Sequence, residues 1–61
     1  FHMSFQEYLR MLRMEQALTL LKDPGLSIQQ IAAQVGYENA FNFSRSFKAQ
    51  YGVSPSHFRN T

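Results

Sequence analysis

A chain of 61 residues with a formal charge of +2 and no cysteine is one domain at most, and so small a domain buries only about 60% of the surface its unfolded form exposes. The missing thiols exclude a disulfide or a thiolate metal site, and His2 and His57 stand at opposite ends of the chain without a ligating partner, so no metal and no cofactor is expected. No run approaches the roughly 18 apolar residues of a membrane span and no signal-peptide pattern leads the sequence, so the expectation is a cytoplasmic protein with no membrane partner.

Ser4 and Glu7 make an S-x-x-E capping box in front of an apolar run, which predicts a helix starting at Phe5. Leu9, Leu12, Ala17, Leu20 and Leu21 then recur at helical spacing, with Tyr8, Met14 and Leu18 widening the stripe. The helix is expected to hold to about Lys22, where Pro24 and Gly25 end it: proline lacks a donor and disfavours helical geometry in Asp23 before it.

Ser27 and Gln30 repeat the capping device, and Ile28, Ile31, Ala32 and Val35 come at i, i+3, i+4 and i+7, a short one-sided helix. Gly36 suits the left-handed residue that closes a helix, Tyr37 is expected to pin the turn in the core, and Asn39 is a good N-cap for a third helix. That helix is expected from about Ala40 to Gln50, stopping at Gly52. Ser54 and Pro55 supply an N-cap and an N1 proline for a short last helix through Phe58. There is no strand pattern and no internal repeat, so the fold class is all-α. The anchor residues of residues 27 to 59 are expected to be Ile31, Val35, Tyr37, Phe43, Phe47 and Phe58, with the first helix covering one side through Leu9, Leu12 and Leu20.

The third helix carries two chemistries. At about 100° per residue, Phe43, Phe47 and Tyr51 fall on one side while Phe41, Arg45 and Lys48 fall on the other. A helix, a glycine turn and a second helix could be an ordinary hairpin. Ala32, four residues before Gly36, is however the small residue that two crossing helices need, and Asn42 and Arg45 are of the types that bond bidentately to adenine and guanine edges. The cations of residues 27 to 61, Arg45, Lys48 and Arg59 against Glu38, are compatible with a polyanion partner. Glu7, Glu15, Asp23 and Glu38 are scattered over caps, faces and turns with no nucleophile and base nearby, so no catalytic residues and no enzyme are expected.

Several runs carry a family resemblance: Tyr8-Leu9, Arg13 through Leu21, Ser27 through Ala32, Gly36-Tyr37, Phe43 through Lys48, Gly52 through Ser56, and Phe58-Arg59. Over nearly the whole chain, at many fixed spacings, these resemble the AraC/XylS family of bacterial transcription regulators. The resemblance implies a helix-turn-helix, homeodomain-like fold with a long N-terminal linker helix. Family members carry two such units joined by that helix. Residues 1 to 26 resemble the linker helix and its turn, and residues 27 to 61 the second unit. The first unit, and the separate ligand or dimerisation domain that the family usually carries, are absent from the resemblance. His2 stands where the family usually has glycine.

The function that the resemblance implies is sequence-specific binding of double-stranded DNA, with the helix from Ala40 in a major groove and the helix from Ile28 crossing the backbone. Base-reading positions are Ala40, Phe41, Asn42 and Arg45; phosphate positions are Ser27, Gln29, Ser44, Lys48 and His57. Six of these have a plainer alternative. Arg45 and Lys48 fit solvated surface cations, and Asn42 at N3 fits a bond back to its own helix start. Phe41 fits a thymine methyl, or packing against the linker helix or the family's first unit; Ser27 fits capping alone, and His57 fits an exposed surface histidine. Arg13 is expected in a structural ion pair or carbonyl contact. The rival from another class is a protein-interaction module that contacts RNA polymerase or a sensor domain.

Overall fold

The structure, a computed structural model, describes residues 3–60; Phe1 and His2 lie outside the described residues. It consists of four helices, α1 (Phe5–Leu20), α2 (Ile28–Gln34), α3 (Ala40–Tyr51) and α4 (Pro55–Arg59), with no strand among the described residues. Both capping boxes close. Glu7 N donates to Ser4 Oγ at 3.1 Å while Ser4 N donates to Glu7 Oε1 at 3.2 Å, and Gln30 N and Ser27 Oγ, Ser27 N and Gln30 Oε1 pair at 3.0 and 2.8 Å. These bonds satisfy donors that a helix start would otherwise leave open. The Ser4 N–H and then its hydroxyl hold the Glu7 carboxyl below its usual range.

Three boundaries differ from expectation, among them that of α4, which runs to Arg59 rather than Phe58. α1 ends at Leu20 rather than Lys22, because the chain tightens into i→i−3 bonds, Lys22 N to Thr19 O at 3.2 Å and Asp23 N to Leu20 O at 3.0 Å. Asp23 Oδ1 then accepts from Gly25 N at 2.9 Å, which turns the Pro24-Gly25 loop. α3 runs one residue further, to Tyr51, and ends on Gly52 at φ 84°. α2 closes as expected on Gly36 at φ 92°. Its six-residue closing bond, Tyr37 N to Ala32 O at 2.9 Å, is joined by Gly36 N to Ala33 O at 3.2 Å, a Schellman motif.

The core is one cluster: Met14, Ala17 and Leu21 of α1 and its cap, Ile31, Ala32 and Val35 at α2, and Phe43 and Phe47 of α3. Phe47 lies at the centre of an aromatic stack, with ring centroids 5.8 Å from Phe43, 4.8 Å from Tyr51 and 5.9 Å from Phe58. Tyr37 and Phe58 pack on this cluster partly buried. The anchor residues of α2 and α3 are as expected. Of those of α1 only Leu20 packs on the core: Leu12 is 41% exposed and Leu9, half-buried, stands outside the cluster, while Met14, Ala17 and Leu21 take the buried stripe at i, i+3 and i+7. The buried residues of α1 all lie in its C-terminal half and at its cap. Its first turns run beside α3 across open hollows rather than packed against it, which leaves Phe5 73% and Tyr8 48% exposed; the molecule measures 36 × 22 × 18 Å.

The carbonyl contact expected of Arg13 belongs to another arginine. Arg59 Nε donates to Leu21 O at 3.1 Å and Arg59 Nη2 to Asp23 O at 3.3 Å, so α4 ties down the carbonyl at the cap of α1 and that of Asp23 in the following loop, which also accepts from Leu26 N at 3.2 Å. Arg13 instead lays its guanidinium over Gly36, its Cζ and Nε both 3.4 Å from where a Cβ would stand. It has no ion pair among the described residues.

Candidate nucleic-acid interface

α3 separates into the two sides that its sequence implies. Phe43 and Phe47 are fully buried, and across the axis Phe41, Asn42, Arg45 and Lys48 are exposed. Ala40 and Ser44, at the border, are half-buried. α3 contains no carboxylate, so nothing on the exposed side neutralises its cations.

Phe41 does not pack against α1. Its ring is 69% exposed and lies beneath the Arg45 guanidinium, with Cζ 5.7 Å from the ring centroid. An i, i+4 pair on a helix brings the two within reach, and a cation over an aromatic face narrows the rotamers that Arg45 samples. Asn42 does not bond back to its helix start: its N–H donates to Asn39 Oδ1 at 2.8 Å, but its side chain makes no reciprocal bond of the kind that Glu7 and Gln30 make. The Asn42 side chain is left without a partner among the described residues.

Arg45 and Asn42 line a hollow of about 450 Å³ with Ser46, Ala49, Gln50 and Arg10 of α1. No spacing rule links Arg10 to α3, and its place in the sequence carries no sign of a role; only the crossing of α1 brings it there. Lys48 and His57 also meet, in a second hollow of about 240 Å³ completed by Gly52, Val53 and Ser54. His57 N donates to Ser54 Oγ at 3.1 Å, the cap of α4, and the His57 side chain is exposed. Ser27 Oγ is engaged by Gln30 N, so capping accounts for this serine by itself, and Gln29 is exposed on α2. No group of three or more metal-ligating side chains occurs among the described residues, and no helix there is long and apolar enough to cross a membrane.

A helix-turn-helix domain model matches residues 1–61. The regulator AlkR of Acinetobacter baylyi is 48% identical over 52 residues, 85% of this chain and 17% of that protein. The Msm operon regulatory protein of Streptococcus mutans is 41% identical over 58 residues, 95% of this chain and 21% of that protein. The chain belongs to the AraC/XylS family of transcription regulators. Among solved structures of the same fold, a DNA-binding transcriptional dual regulator of Escherichia coli superposes with a TM-score of 0.93 at 30% identity, over 97% of this chain and 57% of that one. The chain thus spans about a fifth of the length of the curated relatives it matches. AraC/XylS proteins form a family of regulators rather than of enzymes, and double-stranded DNA is the partner that membership implies.

Proposed function

We propose that this chain is a sequence-specific DNA-binding unit of an AraC/XylS transcription regulator, seating α3 in a major groove with α2 crossing the backbone. The observation that carries the reading is the division of α3: two fully buried phenylalanines fix the helix, and the opposite side presents Phe41, Asn42, Arg45 and Lys48 to solvent without an acid. Arg45 has the fork for guanine O6 and N7, Asn42 the amide for adenine, Phe41 an apolar edge for a thymine methyl, and Ala40 the small side chain at the entering end. Ser27, Gln29, Ser44, Lys48 and His57 take the flanking phosphates. Residues 1–26 act as the linking helix and turn, and 27–61 as the second of the family's two units.

A salt titration against a duplex tests this. Phosphate binding makes log K fall linearly with log salt at about −0.9 per phosphate neutralised, and a slope near zero would reject the reading. One observation favours a second contact. The exposed Phe5, Tyr8 and Leu12 of α1 suit a protein surface, such as RNA polymerase or a sensor domain of the intact regulator, whose binding would be far less salt-sensitive.

A further inference from the structure

One cation beside the reading helix is not used by the helix-turn-helix itself. Arg10, in the second turn of α1, faces the same hollow as Asn42, Arg45, Ser46, Ala49 and Gln50. None of these six side chains is acidic, and Arg10 makes no hydrogen bond or ion pair with any described residue. The acid one turn before it, Glu7, accepts from the Ser4 N–H at 3.2 Å, and the charge of Arg10 is the weakest of the influences on its carboxyl, with no ion pair between them. Two arginines therefore line one open hollow whose lining holds no carboxylate. An anion in it would meet both charges, and the guanidinium fork matches phosphate oxygens in particular.

The position of the hollow says which anion. A helix about 10–12 Å across fills a major groove about 12 Å wide. Its outward side chains meet base edges, and those on its flanks lie level with the phosphate walls. At about 100° per residue, Ser46 and Gln50 fall on the flank of α3 that turns toward α1, and Lys48 falls on the opposite flank. Lys48 shares its hollow with His57, and the other flank has its own in Arg10.

We propose that Arg10 of α1 is a DNA phosphate-binding residue that holds the backbone strand bordering α3 on its α1 side, opposite the strand met by Lys48 and His57. This rests on α3 being the groove-binding helix. An acidic protein segment would meet the same charges, but the hollow is continuous with base-facing Asn42 and Arg45, which favours nucleic acid.

The test is a salt titration of the 61-residue chain on two labelled duplexes, the tightest one selected from a random-sequence pool and its scrambled form. Arg10→Gln is expected to reduce the slope of log K against log salt by about 0.9 on both duplexes alike and to weaken binding on the order of tenfold at 50 mM salt. Arg10→Lys should retain the slope, and the melting curves should coincide because Arg10 is exposed. If Arg10→Gln binds as the unaltered chain does while Lys48→Ala loses slope, the groove reading stands and the role of Arg10 is overturned. A loss confined to the selected duplex also overturns it, since that is base reading. So does intact duplex binding with lost retention on polyglutamate, which points to an acidic protein partner. If the unaltered chain binds neither duplex, the groove reading itself has failed.

Discussion

The start of α1 and the inner side of α3 are both rich in aromatics, yet they end in opposite surroundings. Phe5 and Tyr8 are 73% and 48% exposed, whereas Phe43 and Phe47 are 0% exposed. Residue type does not distinguish them. The presence of an opposing surface does: Phe47 has Phe43, Tyr51 and Phe58 around it, while the side of α1 that carries Phe5 and Tyr8 is left open to solvent. The same contrast separates function from packing, because the exposed Phe41 holds a cation over its ring.

The largest expected break of this contrast is Phe47→Ala, which should cost about 3–5 kcal/mol, a large part of what so small a domain has. Phe5→Ala, at the exposed end, should stay within about 0.5 kcal/mol. Denaturant melts of both variants check this, and equal costs would dissolve the distinction. Next is Arg59→Ala, which removes two charge-assisted bonds to the carbonyls of Leu21 and Asp23 and should cost about 1.5–3 kcal/mol. Hydrogen exchange in that variant should speed up at Leu21 and Asp23 while the amides of the first turns of α1, already fast, change little.

The smallest effect concerns pH. Burial, and then the charge of Glu15, push the Tyr51 phenol above its ordinary value near 10. The folded state therefore favours the protonated phenol. Its contribution is complete below the unfolded value and is lost as pH rises through the folded one. Stability should fall on the alkaline side, and Tyr51→Phe should blunt that fall, as melts across the alkaline range would show.

Local chemistry made much of this legible. Ser4 with Glu7, Ser27 with Gln30, Asn39, Ser54-Pro55 and the two left-handed glycines mark the helix ends through bonds to neighbours a few positions away. The inner side of α3 was legible because polar residues interrupt its aromatics. The phase of α1 was not, since Leu9, Met11, Leu12, Met14, Leu18, Leu20 and Leu21 surround the helix with apolar side chains and only the crossing partner selects among them. Long-range contacts leave no spacing signal, which is why the carbonyl ties fell to Arg59 rather than Arg13 and why nothing in the sequence pairs Arg10 with Arg45.

The central claim, that α3 reads DNA with the side opposite its phenylalanines, is met most directly by comparing Arg45→Ala with Lys48→Ala on the selected and scrambled duplexes at two salt concentrations. Arg45→Ala should cost about 1–3 kcal/mol on the selected duplex and flatten discrimination, while Lys48→Ala should weaken both duplexes alike and reduce the salt slope by about one. If both variants bind both duplexes as the unaltered chain does, α3 is not the reading helix.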